Sequence, residues 1–162
     1  MTMPSSSEIL WMLLDEVKDP EIPQLSVVEL GMIRGIVIDD QQVTVRLAPT
    51  FSGCPALELI RAAIRDQLEK GGIATVQVEL VFSPPWTTDW ISPLGRQKLR
   101  DAGIAPPAQH HGLIEVGLLE PVSCPYCGSK DTRLTNSFGP TLCRAIYVCN
   151  HCRQPFEMFK PF

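Results

Sequence analysis

Two short stretches, Cys124-Pro-Tyr-Cys127 and Cys149-Asn-His-Cys152, lie 21 residues apart at the C-terminal end of this 162-residue chain. Each C-x-x-C sets two sulfurs on one tight turn, and two facing turns close a tetrahedron around a cation. This spacing constrains folding more than any other feature, because a module of about 40 residues has too little apolar core to stand without a staple. It predicts a four-cysteine zinc ribbon over 122–162. Four thiolates suit zinc and also suit iron, and a structural zinc is the expectation adopted. Gly128, directly after the first knuckle, allows a positive φ that aims amides at the sulfurs.

Of the six cysteines, only Cys54 lies outside the last 39 residues. In a reducing compartment such crowding marks metal ligands before disulfides. Cys143 falls in Leu142–Val148, which reads as a strand with Cys143, Ala145 and Tyr147 on one face. It is read as a small buried hydrophobe, with an exchangeable fifth ligand or redox partner as the alternative. His151 inside a knuckle needs no role, and His110 and His111 read as a solvated pair.

Residues 124–162 hold 5 Lys/Arg and 2 Asp/Glu, whereas residues 1–123 hold 9 and 16. Charge and cysteine usage thus both divide the chain into two modules. Four thiolates and one divalent ion lower the ribbon's net charge of +3 to +1, a poor footprint for phosphate backbones, so nucleic acid is not an expected partner. Phe156, Phe159 and Phe162 are expected to form ribbon core or a protein-contact patch.

Upstream, Ser5 and Glu8 have capping-box spacing, and Ile9, Leu10, Leu13, Leu14 and Val17 follow at helical spacing until Asp19-Pro20. Met32–Ile38 reads as a strand, Asp39–Gln42 as a hairpin turn, and Val43, Val45 and Leu47 as the half-buried side of a second strand. Leu57, Ile60, Ile64 and Leu68 trace a helical stripe ending at Gly71-Gly72, and Val76–Phe82 alternates again. Helix, strand, strand, helix, strand is an α/β (α+β type) two-layer domain, and its crossover helix makes the second and third strands parallel. Ser83–Trp90 is a stiff aromatic turn, Pro93–Ala102 a short helix, and the proline-bearing stretch from Gly103 to Ser123 reads as linker. The expected organisation is a domain over 1–105, a linker over 106–121 and the ribbon over 122–162. No apolar run approaches the ~18 residues of a membrane span, and the N-terminus lacks a signal-peptide pattern, so a cytoplasmic protein is expected.

Cys54 sits between Gly53 and Pro55, just before the helical stripe. A helix beginning after Cys54 would place Pro55 in its first turn and the thiol at or next to the N-cap, where amides and dipole favour a thiolate. Thr50 and Ser52 can donate hydrogen bonds, and Gly53 removes a screening side chain. Cys54 therefore reads either as a reactive or metal-handling thiol or as a half-buried cysteine at a helix start. Asp19 and Glu21, in a Pro-flanked loop, are either further ligands or caps on backbone amides.

Asp19-Pro-Glu-Ile-Pro23, Ser26–Ile33, Val43–Thr50 and Ser52-Gly-Cys-Pro55 resemble successive motifs of the iron–sulfur-assembly domain family. The family's thiol lies in a T-x-x-G-C-P stretch, matched at Thr50–Pro55, which implies that Cys54 handles iron or a nascent cluster. Its Asp-Pro-Glu loop is matched at Asp19–Glu21. Pro85–Trp90, Gly103–Pro107 and a ribbon with Phe138–Cys143 further resemble the D-protein family of bacterial phenylacetate degradation. That resemblance implies an accessory protein of the phenylacetyl-CoA epoxidase system, maturing or delivering iron or iron–sulfur cofactors to its reductase or di-iron oxygenase. An electron carrier with iron in the four-cysteine site and a purely structural adaptor are the alternatives. No E-x-x-H di-iron pair occurs in the chain, so the oxygen chemistry is expected on another protein.

Overall fold

The structure is a computed structural model that describes residues 6–39, 42–51, 53–109 and 121–161. The chain divides into two compact units, Met1–Trp86 and Thr87–Phe162.

In the first unit, α1 (Ser6–Asp15), β1 (Ile33–Asp39), β2 (Gln42–Leu47), α2 (Leu57–Lys70) and β3 (Thr75–Leu80) follow in the order that the hydrophobic periodicities indicate. Ser5, the expected cap of α1, lies outside the described residues. β2 is the central strand, antiparallel to β1 and parallel to β3. The parallel pairing follows from the α2 crossover, since a tight turn can only return a chain antiparallel. Val43, Val45 and Leu47 on β2 and Val78 on β3 are buried together with Leu10 and Leu14 of α1 and Ile60, Ile64 and Leu68 of α2. Each such side chain contributes roughly 1.5–3 kcal/mol on burial, which is what holds two short helices on a three-stranded sheet. The other face of the sheet is polar apart from an exposed Val37 and carries an exposed Arg46–Glu79 ion pair.

The loop between α1 and β1 is ordered by backbone bonds, among them those from the Asp19 amide to the Leu25 carbonyl and from the Val27 amide to the Val17 carbonyl, both at 2.9 Å, by a single β-bridge between Lys18 and Ser26, and by side chains. Asp19 Oδ1 accepts the amides of Glu21 (2.8 Å) and Ile22 (2.9 Å). Ser26 and Glu29 bond reciprocally: the Ser26 amide donates to Glu29 Oε2 at 2.9 Å, and the Glu29 amide to Ser26 Oγ at 3.0 Å. The Ser26 hydroxyl also donates to Asp15 Oδ1. Trp86 Nε1 donates to the Leu30 carbonyl at 2.9 Å, closing the unit.

In the second unit a 3-10 turn (Thr88–Trp90) precedes α3 (Pro93–Asp101). Ser92 caps α3 through the Gly95 amide, and Pro93 occupies its first turn. Gly103 ends the helix with φ 76°, and a Cβ there would meet Tyr126 Oη at 2.5 Å. Four strands then form one sheet in the order β4 (Ile104–Ala105), β7 (Pro155–Phe159), β6 (Arg144–Cys149) and β5 (Thr132–Asn136).

The strand β4 corrects the reading of Gly103 onward as linker. Ile104 and Ala105 pair in parallel with Glu157 and Met158, so two residues without periodicity of their own complete the ribbon sheet. The 3-10 turn, α3 and β4 all fall in the same compact unit as the ribbon. Phe156 and Phe159 are buried, as expected of ribbon core, whereas Phe162 lies outside the described residues. Among the described residues no helix is long and apolar enough to cross a membrane.

Candidate metal centre and thiol turn

Each knuckle is a turn closed by two backbone bonds. The Gly128 amide donates to the Cys124 carbonyl and the Cys124 amide to the Ser129 carbonyl, both at 2.9 Å. In the second knuckle the Arg153 amide donates to the Cys149 carbonyl and the Cys149 amide to the Gln154 carbonyl, both at 3.0 Å. These turns bring the sulfurs of Cys124, Cys127, Cys149 and Cys152 within 4.8 Å of one another. Cys124 and Cys152 are 3.7 Å apart, Cys127 and Cys149 3.6 Å. Sulfurs at ~2.3 Å from a tetrahedral ion lie about 3.8 Å apart, so the donor set fits a four-thiolate metal centre.

Burial and charge agree with that fit. Cys124 and Cys149 belong to the same buried cluster as Ala105, Phe156 and Met158, with Tyr147 and Cys152 packed against it. Two of the four candidate ligands are thus themselves part of the ribbon's apolar core. Without a cation the sulfurs compete for protons. The Cys152 amide lowers the Cys149 thiol to about 6, aided by the His151 amide and the Cys127 sulfur. The Ser129 amide favours the Cys127 thiolate, but desolvation and the sulfurs of Cys149, Cys152 and Cys124 push Cys127 up to about 12. The Cys149 thiolate is favoured while Cys127 and Cys152 are pushed toward their protonated forms, which is the pattern a divalent ion reverses.

Cys143 stands outside this group. It directly precedes β6, half-buried, with its sulfur 3.1 Å from Thr141 Oγ1. The His151 side chain is exposed between two ligands and does not join them. His110 and His111 lie outside the described residues.

The Cys54 turn differs from its sequence reading in one respect. The N-cap of α2 is Ala56, and the helix begins at Leu57. Pro55 therefore lies before the helix rather than in its first turn, and Cys54 is two residues short of the cap. Its amide donates to the Phe51 carbonyl (3.1 Å) and its carbonyl accepts the Leu57 amide (3.2 Å), so Cys54 sits in a hydrogen-bonded turn that precedes the helix. Cys54 and Thr50 are half-buried and Gly53 is exposed. A Cβ on Gly53 would come 3.0 Å from the Phe51 ring, so any side chain there would press on that ring. Ser52 lies outside the described residues. Asp19 spends its carboxylate on the amides of Glu21 and Ile22, the capping alternative of the two. Among the described residues, the four ribbon cysteines are the sole group of three or more metal-capable side chains; Cys54, Asp19 and Glu21 do not form a second one.

Three structural residues escaped sequence reasoning. Ser26 and Glu29 carry the S-x-x-E signal, but in a loop. Arg153, at φ 64°, takes a conformation that its residue type does not announce.

An α/β domain presenting a thiol turn, followed by a four-cysteine ribbon, defines a two-module class, and both modules match known families. Residues 8–80 match the model of the iron–sulfur cluster assembly protein family, and residues 109–160 that of the PaaD zinc beta ribbon domain. The chain is 44% identical to an Escherichia coli (strain K12) protein provisionally named as the D protein of 1,2-phenylacetyl-CoA epoxidase, over 93% of this chain and 90% of that one. An Fe-S protein maturation auxiliary factor of Porphyromonas gingivalis is 37% identical over 49% of this chain and 77% of its own. A solved structure of a conserved hypothetical protein from Thermotoga maritima superposes with a TM-score of 0.51 at 37% identity, covering 61% of this chain and 98% of that one. The chain belongs to the D-protein family of the phenylacetyl-CoA epoxidase.

Proposed function

We propose that this protein is a cytoplasmic accessory factor of the phenylacetyl-CoA epoxidase system in aerobic phenylacetate degradation, and that it matures or delivers iron or iron–sulfur cofactors to the reductase or the di-iron oxygenase. The observation that carries the reading is Cys54, on a turn pinned by its amide and its carbonyl, within a domain that matches the iron–sulfur cluster assembly family. Relatives of that domain named as Fe-S protein maturation auxiliary factors support it. In this reading Cys54 handles iron or a nascent cluster as cargo, while Thr50, Gly53, Asp19 and Glu21 shape and brace its surroundings. The ribbon holds a structural zinc on Cys124, Cys127, Cys149 and Cys152 and docks the client.

The four-thiolate geometry also accommodates iron, which favours an electron carrier as the second reading. One assay separates them. Added to purified, fully metal-loaded epoxidase, an assembly factor is dispensable, whereas an electron carrier is required on every turnover. Dependence of the loaded enzyme on this protein overturns the assembly reading, and a visible iron–thiolate absorption would accompany the alternative.

A further inference from the structure

Beside the first knuckle, wholly within the second unit, lies a half-open cleft of about 530 Å³. Its volume is within the ~300–1,000 Å³ range of small-molecule sites. Three cations line it, Arg96, Arg100 and Lys130, and among the described residues no carboxylate does. Arg96 is only 8% exposed. Its guanidinium donates to the carbonyls of Ile91 (3.4 Å), Pro107 (2.5 Å) and Thr88 (2.6 Å). Burial lowers its pKa, and the charge of Asp89 offsets that only in part. Three of its five N–H groups are thus spent on neutral acceptors, leaving two and an incompletely balanced charge at the cleft wall.

The ribbon's own carboxylates are committed elsewhere: Glu157 pairs with Arg144 at 2.6 Å, and Asp131 accepts from Asn150 at 2.8 Å. Arg100 and Lys130 are exposed at the mouth. Most of the remaining wall is apolar, with Pro107, Pro125 and Met158, and Ser123 adds one hydroxyl. One buried and two exposed cations beside an apolar wall suit an anion with an organic body.

We propose that this cleft is a binding site for a phosphorylated small organic molecule, with Arg100 and Lys130 contacting the phosphates and buried Arg96 supplying fixed positive charge behind them. The competing role for the same cations is to balance the metal–thiolate charge beside Cys124, which also lines the cleft. The two roles predict different losses.

The test uses the full-length, metal-loaded chain titrated with inorganic pyrophosphate and with ADP at physiological salt, followed by amide NMR shifts and calorimetry. Citrate serves as a carboxylate control. Saturable shifts clustered at Arg100, Val122, Gly128 and Lys130 are expected, with ADP tighter than pyrophosphate and citrate weaker than both. The Arg100→Gln, Lys130→Gln double variant should lose affinity for ADP about tenfold or more while keeping its metal and its ribbon spectrum. No saturable shift with either phosphate, shifts that survive in the double variant, or citrate binding as tightly as ADP would each overturn the proposal. So would a double variant whose loss is of metal and not of ADP affinity.

Discussion

Gly128 and Arg153 occupy the same station in the two knuckles. Each follows the second cysteine of its turn, each donates its amide to the carbonyl of the first, and each has a positive φ, 74° for Gly128 and 64° for Arg153. The turn demands a left-handed residue at this point, and glycine meets the demand without strain while arginine does not. Left-handed backbone costs a side-chain-bearing residue roughly 1–2 kcal/mol, partly offset by the unfolded-state freedom that glycine adds.

Arg153→Gly is therefore expected to stabilise the metal-loaded ribbon by about 0.5–1 kcal/mol, and Gly128→Ala to destabilise it by about 1 kcal/mol. A Cβ on Gly128 meets nothing within 4 Å, so the second effect is one of backbone conformation alone. Denaturant midpoints of the two variants, moving in opposite directions, check the pair.

Metal loading should release protons. The Cys149 thiol, held near 6 by the Cys152 amide, is already ionised at pH 7, whereas Cys127, pushed up to about 12 by its neighbours, and Cys152, also raised, must each give up a proton. Protons compete with the ion, so affinity falls with falling pH. At least two protons per ion correspond to about a 100-fold change in affinity per pH unit near neutrality. Calorimetry in buffers of different ionisation enthalpy reads the number directly. Chelation should unfold residues 122–162 and leave α1 and α2 folded, because two of the ligands are themselves ribbon core.

Ser26→Ala should destabilise the first unit by roughly 1–2 kcal/mol. It removes the hydroxyl that accepts the Glu29 amide and donates to Asp15, at a position with 0% exposure. The urea midpoint of the unit should fall while ribbon metal content stays unchanged.

Cys54→Ala should leave both units folded, with a cost of at most ~1–2 kcal/mol, since the side chain is half-buried and its turn is held by backbone bonds. Epoxidase activity in cells should nonetheless fall through incomplete metal loading. Cys127→Ala should fail by another route, with loss of ribbon metal and structure, which circular dichroism and metal analysis distinguish.

The clustering of the four ribbon cysteines, the strand and helix order of the first unit and the parallel pairing of β2 with β3 were all legible in the sequence. Each depends on near-neighbour spacing: two residues between ligands, alternate residues on a strand, three or four on a helix. Tertiary structure alone decided the rest. Ile104 and Ala105 became a strand because β7 offered an open edge about 50 residues further on. The α2 helix starts at Leu57 rather than Pro55 because backbone bonds from Phe51 to Leu57 close a turn first. The commitment of Asp19 to capping and the burial of Arg96 against three carbonyls likewise depend on which backbone groups the fold brings near. Local periodicity records which face a residue shows, but a partner remote along the chain leaves no trace in its spacing.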